Sequence, residues 1–142
     1  MKHVWYSLFL IFSLSLSAQN WVTDFETAKT KAEQENKQIL LVFSGSDWCA
    51  PCIKLDKNIW QTNTFQDYAE THLILLRADF PRRRKNQLSE QQQKHNNNLA
   101  EQYNPNGYFP LVVLLNADGT ILNKLGYKAL EPQAYINEIN TY

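Results

Sequence analysis

One stretch, Ser44-Gly45-Ser46-Asp47-Trp48-Cys49-Ala50-Pro51-Cys52, restricts what this chain can fold into more than any other. It follows the apolar run Ile39–Phe43 and precedes a helix-compatible segment, Ile53–Trp60. A strand that turns directly into a helix delivers its last residues to one edge of a sheet. Cys49 at the first turn of that helix places its sulfur among unpaired backbone N–H groups and at the positive end of the helix dipole, which favours thiolate over thiol. Cys52, three residues on, shares the helical face and lies within disulfide reach. Pro51 falls in the first turn, where a missing N–H costs nothing and a preset φ suits the helix. A reactive sulfur, a resolving sulfur and a preset backbone read as a redox switch. A plain structural staple and a metal site are weaker readings. A bridge closing so short a loop stabilises by about 2 kcal/mol at best, and beyond residue 18 only His72 and His95 could add nitrogen ligands, with no second cysteine pair.

The Trp48-Cys49-Ala50-Pro51-Cys52 motif after a buried strand resembles the thioredoxin superfamily. With Ser46-Asp47 before it and Ile53-Lys54-Leu55-Asp56 after it, the chain is most similar to secreted or periplasmic thioredoxin-like proteins and to the C-terminal domain of the membrane thiol–disulfide interchange protein, from about Trp21 to the C-terminus. The resemblance implies an α/β thioredoxin-like fold, with a central mixed sheet of parallel strands plus an antiparallel C-terminal hairpin and helices on both faces. It implies Cys49 and Cys52 as the catalytic pair, cycling between dithiol and disulfide with no other cofactor and no metal. It implies Trp48 packed over the pair and Pro110 as a cis proline beside it. The Phe109 backbone is then free to pair with an extended substrate, and Gly126 lets that substrate approach. Ala50, Pro51, Asp47 and Asp79 are supporting positions. The pattern also departs from the family. The buried acid expected six residues before the first cysteine is Phe43, and the lysine expected opposite it falls on Leu75. An ion pair lost as a unit is self-consistent, because a lone charge there would be costly. It leaves water, Asp47 or Asp79 as the proton acceptor for Cys52.

The chain has 142 residues, enough for one domain with a real core. Fourteen basic residues balance fourteen acidic ones, which argues against nucleic acid or an anionic membrane as a partner. Residues 1–18 are of another kind. Lys2 and His3 precede an apolar stretch, Val4–Leu16, interrupted only by serines, and Leu16-Ser17-Ala18 offers a small residue at a cleavage point. This is the outline of a secretory signal peptide, leaving a domain over residues 19–142. The apolar run is short for a membrane span, so no stable anchor is expected after cleavage. Export places the protein in a secreted or periplasmic setting, where disulfides persist.

The remaining chain reads as alternating elements. Thr23 to Glu26 has capping-box spacing, opening an amphipathic helix that carries Phe25, Ala28 and Ala32 to Asn36. Gln38–Ser44 and Leu73–Asp79 are buried strands, with helical pieces Ile53–Trp60 and Thr64–Thr71 between them. Pro81-Arg82-Arg83-Arg84-Lys85 is a basic knot, read either as a solvated loop or as a docking patch for an acidic partner. A polar helix runs from about Leu88 to Tyr103, and Asn104-Pro105-Asn106-Gly107 is a turn. Tyr108–Leu115 is a strand opened by its proline, Ala117-Asp118-Gly119 a hairpin turn, Thr120–Leu125 an antiparallel edge strand and Glu131–Tyr142 a closing helix.

The chemistry implied is thiol–disulfide exchange. Ala50-Pro51 lacks the histidine that strong oxidants and isomerases of the superfamily tend to carry between their cysteines, so a reductase acting on protein disulfides is expected, resupplied by a membrane electron donor. An oxidase or isomerase assisting oxidative folding, or a redox-inactive thioredoxin-fold binding module, remain alternatives.

Overall fold

Strand β1 (Gln38–Ser44) is the axis of the molecule: from Ile39 to Phe43 every residue is buried, so helices must cover both of its faces. The computed structural model describes residues 19–142; the expected leader, residues 1–18, lies outside the described residues. Helix α1 (Phe25–Glu35) precedes β1. Asp24, rather than Thr23, caps it, accepting the Thr27 N–H at 2.7 Å, because its carboxylate already satisfies the first-turn donors. Asn36, at φ 52°, ends the helix in the left-handed conformation.

After β1 come α2 (Ala50–Leu55), which continues through a π-helical turn at Asp56–Trp60, then α3 (Asn63–His72) and β2 (Leu73–Asp79). The extra residue of the π turn brings both Ile59 and Trp60 inward behind Leu55. A 3₁₀ turn at Arg84–Asn86 leads to α4 (Glu90–Tyr103), then β3 (Leu111–Leu115), β4 (Ile121–Leu125) and α5 (Pro132–Ile139). The third strand is shorter than its apolar run suggests. Tyr108, Phe109 and Pro110 stand outside the ladder, and the Phe109–Pro110 peptide is cis.

The sheet order is β2-β1-β3-β4. β1 runs parallel to β2 and antiparallel to β3, and β3 is antiparallel to β4. This is a thioredoxin-like α/β fold with a mixed sheet of four strands and five α-helices. The residues between β1 and β2 form a crossover helix layer, as two parallel neighbours require. Gly119, at φ 89°, closes the β3–β4 turn, where Thr120 donates its N–H to the Asp118 carboxylate.

Alternation along the strands sorts the core into two layers. Leu40, Val42 and Leu75 face α2, α3 and α5, while Ile39, Leu41, Phe43 and Leu76 face α1 and α4. Phe43 and Leu75 therefore lie on opposite faces. Phe43 pairs with Ala78 and Leu75 with Leu40, so the two are not facing positions of a vanished ion pair. The cation on β2 is Arg77, whose guanidinium donates to the Asp56 carboxylate at 2.8 Å and lies 4.2 Å from the Trp21 ring centroid. Its Nε finds no partner among the described residues.

Polar α4 has few apolar residues to bury, and side-chain hydrogen bonds help dock it. Buried Asn96 donates to the Asp79 carbonyl at 2.9 Å, and His95 Nε2 accepts the Phe25 N–H at 3.0 Å. On the other face Trp60, 1% exposed, meets Trp21, Phe65 and Tyr135 in aromatic contacts at centroid distances of 4.6 to 6.2 Å. Trp60→Ala removes the ring joining α2 to α3 and α5 and is expected to cost about 3–5 kcal/mol of unfolding free energy in urea denaturation.

Candidate redox site

The site begins where β1 stops. Ser44 is the last residue of the ladder; Gly45 accepts the N–H groups of Trp48 and Cys49 at 3.2 and 2.9 Å, turning the chain into α2. Gly45 is required sterically: a Cβ there would lie 2.3 Å from Trp48 Cε2. The indole lies against this bare backbone. Its Nε1–H donates to the Phe80 carbonyl at 2.7 Å, and its ring meets Phe109 edge-on at 5.5 Å. Phe80 in turn contacts Phe109 at 5.4 Å and Phe43 at 6.5 Å, linking the Trp48 cluster to the core.

Cys49 is the N-cap of α2, and its Sγ accepts the Cys52 N–H at 3.3 Å. The two sulfurs are bonded, with Cα atoms 5.2 Å apart. Ala50 and Pro51 form the first turn, Pro51 at a position that offers no intrahelical donor in any case. Cys49 and Cys52 are 4% and 3% exposed, so a partner must come close to reach either sulfur.

The other expected site residues divide into two groups. Phe109 joins Trp48 directly, and Pro110 and Gly126 are neighbours, since a Cβ on Gly126 would lie 3.8 Å from the Pro110 carbonyl. The Phe109 N–H and C=O are unpaired among the described residues. The preceding turn is set by buried Asn104, whose amide accepts the Tyr108 N–H and donates to the Tyr108 carbonyl. Behind Gly126, the Tyr135 hydroxyl donates to its carbonyl at 3.0 Å, and burial holds that phenol well above its ordinary range.

Asp47 and Asp79 serve the scaffold. Asp79 accepts from the Ser46 N–H and hydroxyl. Asp47 accepts the N–H groups of Arg82 and Arg83 and the Asn86 amide, at 2.9 to 3.0 Å. The Arg82 N–H first, then the Asn86 amide and Arg83, hold the Asp47 carboxyl below its ordinary value. Of these two carboxylates, offered with water as acceptors of the Cys52 proton, Asp79 holds Ser46 and Asp47 holds the loop of residues 82–86. Three participants escaped sequence reading: Gly45, Phe80 and Arg82, whose guanidinium lies 3.6 Å from the Trp48 ring centroid. Spacing gave no signal for the last two, because they arrive from the far end of β2. Among the described residues no group of three or more His, Cys, Asp or Glu side chains is placed to hold a metal ion.

A family model described as thioredoxin-like matches residues 20–117. The chain belongs to the thioredoxin-like family. It is 35% identical to the disulfide bond reductase DsbH of Chlamydia pneumoniae over 117 residues, covering 82% of this chain and 69% of that protein. A solved structure of a DsbH oxidoreductase superposes with TM-score 0.80 at 28% identity, covering 99% of this chain and 92% of the other. The oxidised C-terminal domain of DsbD from Neisseria meningitidis, at 19% identity and TM-score 0.51 over 80% of this chain and 84% of that one, shares the fold. The family and the paired cysteines place the protein among thiol–disulfide oxidoreductases. The redox group of such proteins is their own disulfide, and no external cofactor is needed.

Two outcomes follow from this geometry. Gly45→Ala is expected to expel the Trp48 ring from its seat, with a stability loss of about 1–3 kcal/mol and altered tryptophan fluorescence. Asp47 has a folded-state value below 3.8, so its bonds stabilise the loop above about that pH and are lost as pH falls through the lower folded value. The Arg82 and Arg83 amide proton shifts should titrate together with a midpoint below 3.8. A midpoint at or above it would show that Asp47 does not hold the loop.

Proposed function

We propose that this protein is an exported disulfide reductase, acting on protein disulfides outside the cytoplasm through Cys49 and Cys52. The observation that carries the reading is Cys49 at the N-cap of α2, its sulfur receiving the Cys52 N–H. That donor and the helix dipole favour negative charge on Cys49. The Cys49 thiolate attacks one sulfur of a substrate disulfide, forming a mixed disulfide and releasing the other substrate sulfur as thiolate. Cys52, deprotonated, then attacks the Cys49 sulfur, forming the Cys49–Cys52 bond and releasing the second substrate thiolate. Two electrons pass to the substrate, whose thiolates take up two protons; the two protons lost by the cysteines balance them.

Within this reading Trp48 walls the pair on one side. The unpaired Phe109 backbone next to Pro110 gives an extended substrate a place to hydrogen bond, and Gly126 leaves room for it. The protein must be returned to the dithiol by a donor dithiol, which outside the cytosol is best supplied by a membrane protein carrying electrons across. Export is supported by the signal-like pattern of residues 1–18, and among the described residues no helix is long and apolar enough to cross a membrane. The reducing direction is supported by the absence of a charged residue between the cysteines and by the relative named a disulfide bond reductase.

Equilibration with thiol buffers tests the direction. A reductase should give a potential near that of thioredoxin, roughly −270 mV, whereas a value near −120 mV would make the protein an oxidase. Cys52→Ser should trap substrates as mixed disulfides through Cys49. A pair that neither exchanges nor traps would leave a binding module in which the bridge only locks the fold.

A further inference from the structure

The basic run Arg82–Lys85 is not consumed by the fold. All four residues are exposed, and none lies within 4.0 Å of a carboxylate oxygen through its side chain among the described residues. Yet the backbone that carries them is anchored. Asp47 grips the N–H groups of Arg82 and Arg83 and the Asn86 amide, and a 3₁₀ turn at Arg84–Asn86 shapes the rest. The anchor is two residues from Cys49, no more than about 7 Å along the chain. Arg82 lies over the outer face of Trp48, 3.6 Å from the ring centroid, where a cation is favourable and partly ordered. The one acidic group in contact with the run, Asp47, directs its oxygens to the N–H groups of Arg82 and Arg83 and to the Asn86 amide, and forms no salt bridge with the cationic heads.

A solvated loop has no need of such anchoring. In a chain with fourteen basic and fourteen acidic residues, Arg83, Arg84 and Lys85 follow directly on the Arg82 that covers Trp48, and concentrate a positive charge that the whole molecule lacks. The Debye length of about 10 Å at 0.1 M salt exceeds the chain distance from the Asp47 anchor to Cys49, so charges on this loop act on residues that flank a disulfide presented there. We propose that Arg83, Arg84 and Lys85 form a docking surface that selects substrate proteins carrying acidic residues next to the target disulfide. The inference rests on the reductase reading for its reaction, and adds the substrate class. Steering by such a patch raises the encounter rate chiefly, so it should be steeply salt-dependent.

The test compares two disulfide-linked peptides of the same length, one flanked by glutamates and one by lysines. The readout is the ratio of their kcat/KM values with the reduced full-length protein; uncharged 2-hydroxyethyl disulfide reports the exchange reaction itself. At low ionic strength the ratio should favour the acidic peptide by roughly tenfold, within the range steering can supply. It should fall towards one in 0.5 M salt, and towards or below one in the Arg83→Glu, Arg84→Glu, Lys85→Glu triple variant. A ratio near or below one for the native chain overturns the proposal. Calorimetric binding of a cysteine-free acidic peptide to the oxidised protein separates this from the reaction. Binding lost in the triple variant, in a protein that fails to turn over hydroxyethyl disulfide, sinks the reductase reading and keeps the docking surface. Binding unchanged in the triple variant sinks the docking surface. If vesicles of anionic phospholipid bind the native protein and the peptides do not, the patch faces a membrane and the proposal fails.

Discussion

The burial of β1 on both faces is the constraint on which the rest depends. A strand with no polar face cannot sit at the surface, so it takes an inner place in the sheet and draws helices to either side. Its far end must then leave the sheet abruptly. It does so through Gly45, where the missing side chain gives Trp48 room to fold back on the turn. The redox pair is a consequence of this exit, since the residues that follow Trp48 begin α2 with Cys49 as its cap.

The site is a junction of segments distant in sequence. The β1–α2 turn brings Trp48 and the cysteines, and the end of β2 brings Phe80 and Arg82. The entrance to β3 brings Phe109 and Pro110, and the end of β4 brings Gly126. Short polar links fix these pieces, including Asp79 on Ser46, Asp47 on the 82–86 loop, Asn104 on Tyr108 and Tyr135 on Gly126. Each link satisfies a backbone group that would otherwise be unpaired near a protein interior. Both carboxylates are engaged in holding these segments, and the charge that adjoins the Trp48 ring is the Arg82 cation.

The fold accommodates charge at one further place. Arg77 and Asp56 pair between β2 and the π turn that follows α2, on the α2 face of the sheet, with Trp21 over the guanidinium. The apolar identities of Phe43 and Leu75 suggest that such a pair is missing. The register shows that these residues never face one another, while a cation on β2 and an acid on the π turn meet elsewhere.

The sequence by itself determined the order and type of the elements, the two buried strands beside the crossover and the cysteine pair at a helix start. These follow from local rules of periodicity, capping and turn chemistry. Boundaries shifted where a local rule had a competitor. Asp24 displaced Thr23 as a cap, and the third strand began only at Leu111, because Pro110 lacks an N–H and the turn from Asn104 holds the residues before it. Only the tertiary structure decided what surrounds the segment that leads into the cysteines. Arg82 over the indole, Phe80 accepting its N–H and Asp47 turned towards the basic loop are contacts between segments more than thirty residues apart. Sequence spacing carries no information about them, since they are set by strand register and by which face of the sheet each side chain reaches.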